Sequence, residues 1–168
     1  MCRYAFKKYK PRLACFGCRK AFRRRLKADV DPAGEEHVAT CPQCARPMAD
    51  LGLDFHPPPT SARKAWATIA SLWRAGITFH SCGCSGPGWR PSTSSALRVF
   101  LEQRLAAASD QRDRWQATPA SAAKERANRA AAIASFSRQL AAIEAELAAL
   151  GRTGARVSRA RPDRSARP

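Results

Sequence analysis

Apolar side chains recur at helical intervals in the middle of the chain. From residue 62 to residue 75 they are spaced three and four residues apart, at Ala62, Trp66, Ile69 and Trp73. This spacing predicts a short amphipathic helix. Thr60 or Ser61 is its predicted N-cap, and Gly76 is its predicted C-terminal stop.

Two longer helices are predicted beyond Pro91. The first begins among residues 92–95 and runs towards Trp115, and its apolar side is formed by Leu97, Phe100, Leu101, Leu105 and Ala108. The second spans 119–150 after a cap at Thr118, and its apolar residues have the spacing of a coiled-coil seam: Ile133, Phe136, Leu140, Ile143, Leu147 and Leu150. A helix about 48 Å long cannot wrap into a small core. We therefore expect a helical hairpin, or a coiled coil that self-associates through 133–150.

The first half of the chain has short apolar runs separated by turn signals. We predict short strands over residues 3–30, a tight turn at 41–44, a stiff spacer at Pro57–Pro59 and a brief strand at Ile77–Phe79. The predicted fold class is α+β. Its expected divisions are a basic N-terminal unit (1–56), a helix with a Cys/His-rich loop (57–91), the helical region (92–150) and a disordered Arg-rich tail (151–168).

Charge is concentrated at the beginning of the chain. The 168 residues include 30 Lys and Arg against 13 Asp and Glu, which gives a net charge of +17. Residues 1–27 hold eleven basic and no acidic side chains, whereas residues 28–60 hold one basic and six acidic side chains. The N-terminal segment is therefore the first candidate for an anionic partner.

The chain contains neither an apolar export signal near its start nor about 18 consecutive apolar residues for a membrane span. We therefore expect a cytoplasmic protein without a membrane partner. In a reducing cytoplasm, paired cysteines indicate metal ligands or redox thiols rather than structural disulfides.

The strongest motif is a pair of Cys-x-x-Cys sequences. Cys15 and Cys18 form the first and Cys41 and Cys44 the second. Four thiolates complete the tetrahedron that zinc prefers, and such a closed site stabilises a fold rather than carrying out a reaction. We predict one structural Zn²⁺ at these residues. The alternative is a pair of redox dithiols, but no thioredoxin-like βαβ pattern surrounds them.

These two motifs resemble the zinc-ribbon class of folds over residues 13–46. The opening residues 1–10, together with Ala14–Phe22, also resemble short uncharacterised bacterial zinc-ribbon-like proteins. The resemblance implies a small zinc-stabilised N-terminal unit. It implies nothing about a reaction.

A second cluster joins His80, Cys82 and Cys84 within five residues. Alternate residues of an extended segment point to one side, so these three could face a second metal, with Cys2 as the fourth ligand and His56 as another candidate. The plainer alternative is two buried thiols and a hydrogen-bonded surface histidine. If water held the fourth position, a metal-dependent enzyme would follow. We find no deaminase, P-loop, dinucleotide-binding or zinc-protease signature, and we expect no enzyme.

The leading functional hypothesis is phosphate-directed binding of nucleic acid, with RNA or a ribonucleoprotein surface favoured. The predicted contacts are the N-terminal cations Lys7, Lys8, Lys10, Arg12, Arg19, Lys20, Arg23, Arg24, Arg25 and Lys27. The competing hypothesis is a protein-interaction adaptor that uses the zinc unit and the coiled-coil helix. Dependence of binding on salt separates the two.

Overall fold

The computed structural model describes residues 12–23, 39–80 and 86–159, the last eight of these as backbone only. Three short strands come first, β1 (Arg12–Cys15), β2 (Lys20–Arg23) and β3 (Ala49–Asp50). Three helices follow, α1 (Arg63–Arg74), α2 (Ser94–Ala117) and α3 (Ala123–Arg159). The predicted α+β class is confirmed. The chain divides into two compact units, the first ending at Trp73 and resuming over Ile77–Thr93, the second comprising Arg74–Gly76 and the residues from Ser94 onwards.

The first unit is built on an antiparallel sheet with the order β2-β1-β3. Alternate residues of β1 lie on opposite faces of this sheet. Leu13 and Cys15 join a buried cluster with Cys41 and Met48. Ala14, on the other face, joins a second cluster formed by Ala49, Leu51, Phe55, Trp66 and Ile69. The buried cysteines and helix α1 belong to different clusters, but Phe16 of the first cysteine turn packs against the cluster that contains Trp66.

Helix α1 begins and ends close to its predicted limits. Gly76 follows it with a φ of 73°, as expected for a C-terminal stop. Neither Thr60 nor Ser61 is the N-cap, because the N–H of Trp66 bonds to the carbonyl oxygen of Ala62. That bond makes Ala62 the capping residue.

The segment predicted as a strand at Ile77–Phe79 is not assigned as one, although it is hydrogen-bonded. The N–H of Phe79 bonds to the carbonyl oxygen of Leu51 at 2.8 Å. At Gly52, whose φ is 89°, a Cβ atom would lie 2.7 Å from the backbone nitrogen of His80. Only glycine allows this close approach.

The second unit is a pair of helices that pack on each other, joined by residues 118–122. Leu97, Phe100, Leu101 and Ala108 are the buried residues of α2. Leu140 and Ile143 of the predicted seam are buried, while the other four seam residues are half-buried. The predicted apolar sides are therefore used within this unit. A coiled coil between two copies stays a prediction.

One ion pair of the second unit joins a half-exposed arginine to a buried carboxylate. The guanidinium of Arg74 makes two hydrogen bonds to the carboxylate of Glu146, with N···O distances of 2.5 and 2.9 Å. The side chain of Glu146 is only 9% exposed. Burial makes a lone carboxylate costly, so this bidentate partner is needed.

Both predicted ends of the last helix were wrong. It begins at Ala123 rather than at 119, because Thr118 hydrogen-bonds back to the Arg114 carbonyl and Glu125 accepts the N–H groups of Ser121 and Ala122. These hydrogen bonds hold the pKa of Glu125 below its ordinary value. At the other end the helix continues through Gly151 and Gly154 to Arg159, since each glycine costs a helix only about 1 kcal/mol. Residues 160–168 of the predicted disordered tail lie outside the described residues.

Within the described ranges, no helix combines the length and the apolar character that crossing a membrane requires.

Candidate metal centre

Each Cys-x-x-Cys sequence forms a turn that closes a short antiparallel pairing. Cys15 is the last residue of β1 and pairs with Lys20, the first residue of β2. In the second turn the N–H of Cys41 bonds to the carbonyl oxygen of Arg46 at 2.8 Å, just inside a bridge between Thr40 and Pro47. The paired partner lies five residues after the first cysteine in both cases. The two turns therefore hold their thiols by the same local device.

The residue after the second cysteine of each turn has a left-handed backbone. Arg19 has a φ of 52° and Ala45 a φ of 55°. Residues other than glycine rarely adopt this backbone conformation, because their Cβ atom comes too close to the following carbonyl oxygen. The recurrence of this conformation at the same position indicates that the closing bonds of the turn impose it.

The four cysteine sulfurs converge on one point. All four lie within 4.8 Å of one another. The Sγ atoms of Cys15 and Cys44 are 3.5 Å apart, and those of Cys18 and Cys41 are 3.9 Å apart. A tetrahedral ion with metal–sulfur bonds of about 2.3 Å requires sulfur–sulfur edges of roughly 3.8 Å. The four cysteines are thus positioned to hold a metal ion, as the sequence predicted.

These thiols are not disulfides. All four are free, and the separations above far exceed the disulfide bond length of about 2.05 Å. Cys15 and Cys41 are buried, Cys18 is half-buried and Cys44 is exposed. A metal ion at their centre would therefore be reached from the side of Cys44.

Backbone N–H groups point at the first sulfur of each turn. The N–H of Cys18 lies 3.4 Å from the sulfur of Cys15. Burial opposes ionisation of Cys41, but the N–H groups of Gln43 and Cys44 outweigh it and lower its pKa to about 7. The hydrogen bond with Cys44, supported by burial, raises the pKa of Cys18 to about 12. The N–H donors favour the thiolate form, which is the form that binds metals.

Only part of the predicted second cluster falls within the described residues. The Nε2 atom of His80 lies 3.8 Å from a carboxylate oxygen of Asp50, and its side chain is 55% exposed. Cys2, Cys82 and Cys84 lie outside the described residues. The second site stays a prediction.

Four of the ten predicted nucleic-acid contacts are described. Arg12 donates to the carbonyl oxygen of Phe55 at 2.7 Å, and Arg19 donates through Nε to the carbonyl oxygen of Thr60 at 2.8 Å. Lys20 and Arg23 are exposed on β2. The other six lie outside the described residues: Lys7, Lys8, Lys10, Arg24, Arg25 and Lys27. Arg12 and Arg19 therefore have a structural role that the sequence analysis did not foresee.

The sequence analysis also missed Arg46. Its guanidinium lies over the first turn, where a Cβ built on Gly17 would be 3.0 Å from a terminal nitrogen. The sequence did contain a signal for Arg46: like Lys20, it is a basic residue two positions after the second cysteine of its turn. Four thiolates and a divalent ion carry a net charge of −2, which a nearby guanidinium stabilises.

Comparison with protein-family models, with curated proteins and with solved structures gives no match for this chain.

Proposed function

We propose that the chain binds one structural Zn²⁺ through Cys15, Cys18, Cys41 and Cys44, in a unit of the zinc-ribbon kind. The convergence of four thiols at tetrahedral spacing is the observation that supports this. Zinc prefers four thiolates in structural sites, and the full ligand set leaves no open position for a substrate. The ion would tie two turns together across a unit whose strands are only two to four residues long.

Metal analysis of the purified chain tests this proposal. We expect one equivalent of zinc bound at the four cysteines, and its loss in Cys15→Ser. The matched control is Cys82→Ser, which removes a thiol from the other cysteine motif. Zinc retained in full by Cys15→Ser would contradict the proposal. A second equivalent, lost only from Cys82→Ser, would support the predicted second site.

We further propose that this zinc unit binds nucleic acid through phosphates, with RNA or a ribonucleoprotein surface favoured. The supporting observation is the placement of Lys20 and Arg23 as exposed cations on the strand that leaves the first cysteine turn. They belong to an N-terminal segment with eleven basic and no acidic residues. Cations held close together on a metal-fixed scaffold attract a polyanion and have no acidic neighbours in sequence to neutralise them.

Salt dependence tests nucleic-acid binding. If about six phosphates are contacted, the logarithm of the binding constant should fall against the logarithm of salt with a slope of about −5 on duplex DNA. The double variant Lys20→Ala/Arg23→Ala should reduce the magnitude of this slope by about 1 per residue. The charge-matched control Lys124→Ala/Arg138→Ala removes two exposed cations from α3 and should leave the slope nearly unchanged. Equal effects of the two variants would contradict a site on the zinc unit.

The adaptor remains the alternative, and the same titration distinguishes it. A protein complex that survives high salt, in a chain without salt-sensitive nucleic-acid binding, would favour the adaptor. Self-association through 133–150 would have to compete with packing already made inside the chain, because Leu140 and Ile143 are buried in the second unit. This observation makes us rank the adaptor second.

A further inference from the structure

A groove in the first unit runs between β2 and the three consecutive prolines Pro57–Pro59. It is an open groove with a volume of about 420 Å³. Arg19, Lys20 and Phe22 line one wall, Pro57–Pro59 and Thr60 line the other, and Trp66 also contributes. Among the described strands β2 lies at the edge of the sheet, so the groove follows a sheet edge. Arg19, which directly follows the first cysteine turn, connects that turn to the groove.

The cationic part of the groove is held in a fixed orientation. Arg19 donates only its Nε hydrogen, to Thr60 across the groove, so its terminal nitrogens have no hydrogen-bond partner among the described residues. A guanidinium has five N–H donors in a planar fork that suits phosphate oxygens. Because Thr60 already fixes the side chain, less conformational freedom is lost when an anion binds. Lys20, exposed beside it, adds a second positive charge.

The turn itself does not require arginine at this position. The equivalent residue of the other turn, Ala45, adopts the same left-handed conformation, with a φ of 55° against 52° at Arg19. The guanidinium of Arg19 can therefore serve the groove without being needed to shape the turn.

The opposite wall is apolar and poor in hydrogen-bond donors. Prolines have no N–H group, and the carbonyl oxygen of Pro59 already accepts hydrogen bonds from the N–H of Ala62 and the indole Nε1 of Trp66. A peptide lying against the three prolines would find no N–H donors on them. The apolar proline rings and the half-buried ring of Phe22 instead suit the face of a planar base. A duplex hides its base faces, whereas a single strand exposes them.

We propose that this groove binds single-stranded nucleic acid, with a phosphate on Arg19 and Lys20 and a base against Phe22 and the proline wall. This inference rests on the proposed nucleic-acid function and deepens it by specifying the strandedness and the residues. It assigns Arg19 a different task from Arg23, which does not line the groove.

Fluorescence anisotropy tests the proposal with labelled oligouridine and a blunt RNA duplex of the same length. Arg19→Gly removes the guanidinium and places glycine where φ is positive, so the variant should fold and keep its zinc. We expect it to weaken single-strand binding about tenfold, the effect of losing charged hydrogen bonds, and duplex binding far less. Arg23→Gln removes the same charge outside the groove. It should weaken the binding of oligouridine and of the duplex equally, about twofold.

The indole N–H signals of the four tryptophans in an NMR spectrum show where the RNA binds. In a titration with oligouridine, the Trp66 signal, assigned with Trp66→Phe, should shift while that of Trp115 on α2 stays in place. If oligouridine binds but Arg19→Gly behaves like Arg23→Gln, the groove proposal is wrong and nucleic-acid binding stands. If wild type binds neither RNA, both proposals are wrong. If a Glu-rich peptide binds with the same dependence on Arg19 and shifts Trp66 while oligouridine does not, the groove is a peptide site.

Discussion

The first unit contains strands of four, four and two residues, whereas the second is built from helices of 24 and 37 residues. The buried residues of the first unit form two small clusters, and one of them includes two of the four convergent cysteines. The second unit instead has an apolar seam, with Ile143 fully buried, and an ion pair whose carboxylate, that of Glu146, is buried.

We expect the two units to draw on different sources of stability. A small core gains little free energy from burial alone, so such units depend on a metal or a disulfide. Long helices that pack along an apolar seam need no metal. The two units should therefore respond differently to the same perturbation, and each prediction below tests that expectation.

Removal of the metal should have the largest effect. Structural zinc sites contribute about 10–16 kcal/mol of apparent binding free energy in small domains, so a strong chelator should unfold the first unit. Helices α2 and α3 should persist. The measurement is a two-dimensional amide NMR spectrum with circular dichroism at 222 nm, before and after chelation. Collapse of the Trp115 signal together with that of Trp66 would contradict independent stabilisation of the two units.

Ile143→Ala should have the next largest effect, and in the opposite unit. Ile143 is fully buried, and truncation of a buried isoleucine costs about 2–5 kcal/mol through lost contacts and the remaining cavity. Thermal unfolding should show a less stable helical pair, with an unchanged zinc content. The control is Val99→Ala on α2, where the side chain is 52% exposed and the cost should stay within about 0.5 kcal/mol. Equal losses in the two variants would contradict the assigned seam.

The third largest loss of stability is expected for Arg74→Ala. It leaves the buried carboxylate of Glu146 without its bidentate partner. Breaking a fully buried pair costs about 3–5 kcal/mol, and we expect about 2 kcal/mol here because the Arg74 side chain is 51% exposed. Arg112→Ala, which removes the half-buried partner of the exposed Asp113, is the matched control and should cost less than about 1 kcal/mol. Chemical denaturation measures both, and similar values would mean that burial of Glu146 does not matter.

The sequence predicted the metal ligands because their spacing encodes them. A Cys-x-x-Cys turn brings two sulfurs together by local geometry, and four sulfurs satisfy one tetrahedral ion. Periodicity likewise predicted α1, with Trp66 and Ile69 on its buried side, and the buried side of α2. These features depend on residues that are close in sequence.

The features that were missed depend on distant or competing contacts. Arg74 and Glu146 lie 72 residues apart, so no local pattern links them. Thr118 had the composition of a cap for the last helix but bonded back to α2 instead. The role of Arg19 was hidden because its partner, Thr60, is 41 residues away. A cationic run indicated attraction to anions, but only the fold separates the cations that are already hydrogen-bonded from those that are exposed.

The smallest effects are expected from replacing alanine by glycine. This change should raise the stability of the first unit and lower that of the second. Ala45, with a φ of 55°, occupies a conformation that glycine adopts without strain, so Ala45→Gly should stabilise the first unit by about 0.5–1 kcal/mol. Ala134→Gly, at an exposed position within α3, should destabilise the second unit by about 1 kcal/mol.

Zinc affinity gives the readout for the first unit, because binding of a structural metal is coupled to folding. Competition with a chromogenic chelator should show zinc binding about two- to fivefold tighter in Ala45→Gly and unchanged in Ala134→Gly. Weaker binding in Ala45→Gly would mean that the greater flexibility of glycine in the unfolded chain outweighs the relief of backbone strain. The left-handed backbone conformation at this position would then cost alanine little strain energy.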